Sequence, residues 1–424
     1  MAVAGPSANG NRVVNGVNGI AKGADPEATN FFNGEVLAGL NASKVTITKA
    51  KSLKPIPAVE DLVFGNTMTD HMLVATFHPE HGWSAPEVKP YGPLELDPAS
   101  SCFQYCPNVF EGMKAYLDPQ GEPRLFRPEL NMERMRRSVE RVALPPFDTA
   151  ELLKLIKLMV TLEKRWIPAK QGCALYIRPT VIGTRPALGV SASDHALLYI
   201  ILSPMGPYFR TGPKPISLLG VHDAVRAWPG GTGGYKLGLN YAPGFQPQRE
   251  AAKKGYMQVL WLFKEGNGLE GLKVTEAGAM NFFVVVSRDD GGMDVITPPL
   301  DGTILPGLTR DSCLSLLRAH SPASPSLPAL ASTPLHAHER TLTLADLVRY
   351  SNEGRLLEAF GVGTAVVVVS VGRIGYEEQG QGLRDITLRE HEGGHGPVAK
   401  ALWERIVEVQ EGRQEWEGWS VKCV

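Results

Sequence analysis

Apolar positions recur along this chain with two periods, and the alternation between them sketches its elements. From Leu130 to Val142 and from Thr149 to Trp166 the apolar residues fall three and four apart, the spacing of a helix that buries one face. The first of these helices is expected to carry a basic face made of Arg134, Arg136, Arg137 and Arg141. Before them, Gly112 to Leu117 and Arg124 to Phe126 flank Asp118-Pro119-Gln120-Gly121, which predicts two strands around a tight turn. Cys173 to Gly183 and Ala196 to Leu202 are β-rich. In the second half, strands are expected at Ile216–Leu219, Gln258–Phe263, Phe282–Val286 and Asp294–Thr297. Thr364 to Val371, almost pure valine, reads as one further buried strand. Helices are expected over Pro243–Gly255 and Leu308–Ala319. The elements interleave without a regular βαβ rhythm, so the fold class expected is α+β rather than a Rossmann sheet.

The gaps in this pattern suggest the domain plan. Residues 1–43 have almost no hydrophobic periodicity and are expected to be a disordered lead-in. A small α+β domain is expected over 44–204, a Gly/Pro-dense interdomain loop over 205–215, and a larger domain over 216–424. Within the larger domain, the Pro/Ser/Ala-rich stretch 321–338 reads as a surface insertion.

Composition narrows the function classes. The 424 residues suffice for two or three domains with a large core. A formal net charge of −1 argues against a nucleic-acid partner. No apolar run approaches the ~20 residues that span a bilayer, so no membrane role is expected. The five cysteines form no metal-type pair and read as reduced thiols. The lead-in lacks a secretory apolar core and is too acidic for an Arg-rich transit peptide. Cytoplasm is the expected compartment, with a mitochondrial address left open.

Three short segments carry candidate chemistry. In Gly230-Gly231-Thr232-Gly233-Gly234-Tyr235-Lys236-Leu237-Gly238-Leu239-Asn240-Tyr241, glycines let a ligand approach the backbone, and one lysine stands between two tyrosines. An amine so placed suits attack on an aldehyde; the competing reading is a flexible loop with a solvated lysine. Tyr235 and Leu237 occupy positions where a Walker loop needs glycine and Ser or Thr, so this is no Walker loop. Glu276 heads an apolar strand, where a carboxylate is costly unless a cation, such as a protonated pyridine nitrogen, partners it. Ile304-Leu305-Pro306-Gly307 runs into a helix whose first N–H groups, on Leu308 and Thr309, form an anion site. Against these stands His391-Glu392-Gly393-Gly394-His395, which fits a zinc-protease pattern in spelling. Its two glycines cost about 2 kcal/mol of helix propensity, and its flanks read as loop.

Taken together, Lys236, Glu276 and the Thr297–Arg310 run resemble the signature of fold-type IV (class IV) pyridoxal-phosphate aminotransferases. Phe64-Gly65, Phe110-Glu111-Gly112-Met113-Lys114-Ala115, Arg124-Leu125-Phe126-Arg127-Pro128, Tyr176-Ile177-Arg178-Pro179, Tyr235-Lys236-Leu237-Gly238 and Thr364-Ala365 are similar to the eukaryotic-type branched-chain amino acid aminotransferases. These motifs follow the family's order over nearly the whole chain. The resemblance implies a two-domain fold like that of D-amino acid aminotransferase and pyridoxal 5′-phosphate as cofactor. It further implies amino transfer from leucine, isoleucine or valine to 2-oxoglutarate, in a homodimer.

By position, Lys236 matches the lysine that carries the cofactor and moves the proton. Glu276 matches the partner of the pyridine nitrogen, and Tyr241 the residue that bonds the ring oxygen. Arg134, Thr364, Leu308 and Thr309 match the phosphate site. The resemblance implies a substrate cage from Phe64, Tyr105, Phe110, Tyr176 and Tyr208, with Ala365 beside it and Leu188 and Val190 arriving from the second subunit. Arg178 is implied to hold the second carboxylate of glutamate. Three positions depart from the family: Ala279 replaces a usual Ser or Thr, and Val366 and Val369 replace the redox cysteine pair of animal mitochondrial enzymes. The alternatives weighed are a transaminase of a specialised pathway, which Ala279 keeps open, and a binding protein that keeps the fold without activity.

Overall fold

The computed structural model describes residues 30–32, 35–206, 214–378, 380 and 382–423. Among these, two large sheets share the chain, one of ten strands and one of nine. The first centres on a long antiparallel pair, Ala174–Gly183 with Ala196–Met205. His71–His78 continues it on one side, and Met113–Leu117 followed by Pro123–Phe126 on the other. Helices Pro128–Arg141 and Thr149–Leu162 cover one face. Proline begins the first, where its missing N–H costs nothing. Asp148 caps the second by accepting from the amides of Ala150 and Glu151. Leu152, Leu155, Ile156 and Met159 then point into the sheet and are fully buried.

The second sheet is mixed, which is why an α+β reading suits it. Ile216–Val221 lies parallel to both of its neighbours, Gln258–Lys264 and Val367–Glu378. Leu272–Ala277, Met280–Ser287 and Leu356–Gly363 run antiparallel to theirs. Because Leu272–Ala277 pairs with Gln258–Lys264 on one side and Met280–Ser287 on the other, the sheet closes on itself. Glu276 and Asn281 face each other at that closure.

The two sheets meet along a seam. The amide of Phe110, on strand Asn108–Phe110 of the first, donates to the carbonyl of Lys236 at 3.2 Å, and Val109 and Leu237 form a bridge beside it. No helix among the described residues is long and apolar enough to cross a membrane.

Four sequence expectations are revised. Part of the expected lead-in is folded: Leu37 and Leu40 are buried in the first core, and the amide of Ala42 donates to Glu151. The final strand, Ser420–Lys422, leaves the second half and pairs with Pro123–Phe126 of the first sheet. The stretch 321–338 is not a surface appendage, since Leu327, Leu330 and Leu335 are buried and Leu335–Glu339 adds a parallel edge strand beside Met293–Thr297. Its prolines and serines mask three leucines spaced too irregularly to register as an element. Thr364 to Val371 is not one strand: residues 364–366 turn between Leu356–Gly363 and Val367–Glu378, and Val367 takes φ 62° to make the turn. Residues 1–29 of the expected lead-in, and 207–213 of the expected interdomain loop with Tyr208, lie outside the described residues.

Candidate active site

Lys236 is fixed by its backbone before its side chain does anything. Its amide donates to Ser138 Oγ at 2.9 Å and its carbonyl accepts from Phe110. The glycine loop ahead of it is folded by Asn240, whose amide nitrogen donates to the carbonyls of Thr232 and Tyr235. This leaves the Lys236 amine 3.3 Å from the Tyr241 hydroxyl and 5.0 Å from the centre of the Phe110 ring.

From there a chain of contacts runs through the expected substrate residues. Phe110 and Tyr241 pack with ring centres 5.1 Å apart, and the Arg178 guanidinium lies over Phe110 at 4.7 Å. Arg178 donates to the Tyr176 hydroxyl at 3.1 Å, and Tyr176 meets Phe64 edge-on at 4.8 Å. Gly112 makes the room: a Cβ there would stand 2.0 Å from the Tyr176 hydroxyl. The Nε of Arg178 is buried without an acceptor, so this cation holds a donor in reserve inside an otherwise aromatic wall.

Glu276 is buried, with 2% of its surface exposed, and sits where the second sheet closes. Its Oε1 accepts from the amide of Leu305 at 3.1 Å and from Asn281 at 3.2 Å. Arg226 approaches Oε2 to 2.7 Å as an ion pair, yet Oε2 accepts no well-aligned hydrogen bond. Burial pushes the carboxyl up from its ordinary range, and the Arg226 charge opposes but does not cancel that. A carboxylate in this state is stabilised by one further cationic donor aimed at Oε2.

Arg134 is nearly as deep. Its Nε and Nη2 clasp Glu111 at 2.6 and 2.8 Å, and Nη1 donates to the carbonyl of Pro306 at 2.9 Å. Burial alone would raise Glu111 most strongly, but the charge and hydrogen bonds of Arg134, with the Lys236 charge and the Asn131 hydrogen bond, together hold the carboxyl below the usual range. Three N–H groups are thus committed, and a guanidinium carries five. The contact with Pro306 brings Arg134 beside the start of helix Leu308–Ala319, whose N-cap is Gly307 with no side-chain cap. The amides of Leu308 and Thr309 there have no partner within the helix.

The remaining expected residues divide. Thr364 and Ala365 lie on the turn between two strands of the second sheet, and the Ala365 carbonyl accepts from Lys114 across the seam. Leu188 and Val190 are 65% and 86% exposed. Tyr105 joins them, its hydroxyl donating to the carbonyl of Leu188. Ala279 is exposed at the tip of the hairpin that carries Glu276. The His391–His395 segment forms a turn with Gly393 and Gly394 at φ 78° and 81°, so its histidines share no helix face. Sequence reasoning assigned no role to Glu111, Lys114, Arg226 or Asn281. Charges inside the apolar run Val109–Tyr116 were a readable signal for the first two. Arg226 and Asn281 gave none, since each acts through a carboxylate distant in sequence or in a neighbouring strand.

Comparison with known proteins follows the same line. A family model, amino-transferase class IV, matches residues 108–374, more than half the chain. The chain is 45% identical over 385 residues to the mitochondrial branched-chain-amino-acid aminotransferase of Schizosaccharomyces pombe, covering 91% of this chain and 86% of that one. It is 45% identical over 386 residues to the cytosolic enzyme of that name from Saccharomyces cerevisiae, covering 91% and 98%. Against the cytosolic enzyme of Mus musculus the identity is 41% over 390 residues, covering 92% and 95%. Among solved structures, the branched-chain aminotransferase of Thermoproteus uzoniensis with norvaline superposes with TM-score 0.63 at 23% identity, covering 84% of this chain and all of that one. The branched-chain amino acid aminotransferase of Thermobaculum terrenum in its PLP form gives 0.60 at 20% identity, covering 83% and 98%. At such identities these likenesses establish the fold.

Proposed function

The chain belongs to the class IV aminotransferases, and from that premise we propose that it is a branched-chain amino acid transaminase carrying pyridoxal phosphate on Lys236. The observation that carries the cofactor assignment is the pair Lys236 and Glu276: an amine held against a tyrosine hydroxyl at the seam, and a buried carboxylate whose Oε2, ion-paired with Arg226, accepts no well-aligned hydrogen bond. The residues present fit the group. Glu276 Oε2 suits a pyridine N–H, Tyr241 suits a ring oxygen, and the two spare donors of Arg134 with the Leu308 and Thr309 amides and the Thr364 hydroxyl suit a phosphate. The cofactor supplies an electron sink for a carbanion at the substrate Cα. Lys236 attaches it and moves the proton at Cα, Glu276 keeps the ring nitrogen protonated, and Tyr241 holds the Lys236 amine in place.

Specificity follows from the wall around Lys236. Phe64, Phe110 and Tyr176 offer apolar faces to a branched side chain, while Arg178, with its free Nε–H, can receive the second carboxylate of glutamate or 2-oxoglutarate. The names carried by relatives 41–45% identical over nine-tenths of the chain support a branched-chain amino acid as the amino donor. The wall as described is incomplete. Leu188, Val190 and Tyr105 are solvent-facing together, which supports a homodimer in which this group closes the partner's pocket.

Replacement of the lysine tests the reading. Lys236→Ala is expected to lose the visible absorbance of the attached cofactor and nearly all transamination, while keeping the wild-type melting temperature within a few degrees. Wild-type turnover in that variant would refute the assignment.

A further inference from the structure

Three histidines that no role above uses come together at one end of the first sheet. Strand His71–His78 finishes on one of them and turns into the short strand Gly82–Trp83, so that His78 pairs with Gly82. The amide of His81 donates back to the carbonyl of His78 at 3.2 Å, which folds the turn over the strand end. The third histidine comes from the neighbouring strand: Phe77 pairs with Ala196, so the next residue out on each strand is His78 and His195. The His195 carbonyl is held by the amide of Thr184 at 2.9 Å and by the Ser193 hydroxyl at 2.7 Å. The His78 ring then stands 5.1 Å from that of His81 and 4.9 Å from that of His195, centre to centre.

Two carboxylates complete the group. Glu80 Oε2 is 3.8 Å from His81 Nε2, and Asp194 Oδ1 is 2.7 Å from His195 Nδ1. One ligand atom each from His78, Glu80 and His81 lies within 4.8 Å of the other two, and among the described residues no other trio of His, Cys, Asp or Glu is that compact. Nitrogen ligands stand about 2.0–2.1 Å from a tetrahedral zinc ion, hence roughly 3.4 Å from one another. Side-chain rotation covers the difference, because the Glu80 and His81 side chains are 74% and 77% exposed. The bond from the Glu80 amide to His78 Nδ1, at 3.2 Å, is long enough to give way to a cation. Asp194 acts differently: by accepting from Nδ1–H of His195 it leaves the Nε2 lone pair free, the arrangement that orients histidine ligands in metal sites. Arg185 lies 3.9 Å from the same Asp194 oxygen, too far to hydrogen-bond it. Imidazoles with one carboxylate suit zinc, whereas magnesium prefers an all-oxygen set.

We propose that His78, Glu80, His81 and His195 bind one divalent transition-metal ion of the zinc class, with Asp194 as the positioning residue for His195. His195 ends the 184–195 connection that carries Leu188 and Val190, so the ion fastens that connection to the 78–82 turn. None of the four ligands belongs to the set placed around Lys236, and the inference does not rest on the transaminase reading.

The test is calorimetric titration of untagged, cofactor-loaded protein with zinc chloride after a chelator has removed bound metal, with magnesium chloride as the control. The wild type is expected to take up one zinc ion per chain with micromolar or tighter affinity, and no magnesium. His78→Ala, His81→Ala and His195→Ala each weaken zinc binding by about a hundredfold, and Asp194→Asn by about tenfold. His391→Ala leaves it unchanged, which separates this group from the other histidine pair. If His78→Ala does not fold, His81→Ala and Glu80→Gln, both on the exposed turn, give the same readout. Zinc is also expected to slow amide hydrogen exchange over 184–195 in the wild type and not in His81→Ala. A wild type that binds no more zinc than magnesium overturns the inference. So does undiminished affinity in any of the three histidine variants, or exchange over 184–195 that zinc leaves unchanged.

Discussion

At Glu276 two forces act in opposite directions on one carboxyl. Burial favours the neutral form, and the nearby Arg226 favours the anion, with burial ahead. A protonated ring nitrogen at Oε2 would tip the balance to the anion. The expected result is that Glu276→Gln binds the cofactor but loses about a hundredfold in the rate of the half-reaction with leucine, measured by stopped-flow absorbance. Glu111 is the opposite case. Its folded-state carboxyl lies below the ordinary range, so its contribution to stability is complete above the unfolded value and fades as pH falls through the folded one. Glu111→Ala would leave the Arg134 guanidinium buried without its anion, at a cost of about 3–5 kcal/mol in urea unfolding at pH 7. Lys236, Glu276, Tyr241 and Arg134 could all be named from sequence because each sits in a distinctive local string. The residues that orient two of them, Arg226 on Glu276 and Glu111 on Arg134, could not be assigned so, because orientation is a tertiary property.

Elements were legible where one period ran long enough. The helices Pro128–Arg141 and Leu308–Ala319 begin and end close to where their apolar spacing places them, while Thr149–Leu162 stops four residues short of the expected Trp166, with a separate 3-10 turn over Lys164–Trp166. Helix Pro397–Gln410 was not anticipated, although its burial of Val398, Leu402, Ile406 and Val409 follows a helical stripe. The neighbouring glycines and histidines drew that region toward a loop. The valine run at 364–371 failed for the opposite reason: uniform hydrophobicity cannot mark a turn, and the turn depends on the unusual backbone of Val367. The 321–338 stretch offers a stability test of its revised status. Leu327 is fully buried in the second-sheet core, so Leu327→Ala is expected to cost about 2–5 kcal/mol by denaturant unfolding. A true surface appendage would change stability by less than about 0.5 kcal/mol.

On the scale of the whole molecule, the site belongs to neither sheet alone. The Lys236 carbonyl is held by the first, Glu276 closes the second, and Arg134 and Lys114 reach from the first to loops of the second. The hydrophobic pattern predicted α+β elements but could not reveal that their functional edge is a seam, because the contacts across it join residues 98 to 251 positions apart. The same scale governs assembly. If Leu188 and Val190 cover the partner's pocket, light scattering will report a dimer, and Leu188→Glu will raise KM for leucine while shifting the protein toward monomer. A fully active monomer would show that one chain completes the pocket unaided.

The most direct test of the central claim is a product balance. Purified, cofactor-loaded protein is incubated with L-leucine and 2-oxoglutarate, and glutamate and the branched 2-oxo acid are quantified together. The account predicts that the two products appear in equal amounts, only when both substrates are present, and likewise with isoleucine and valine. A protein that binds the cofactor on Lys236 yet forms neither product from any of the three amino acids would contradict it.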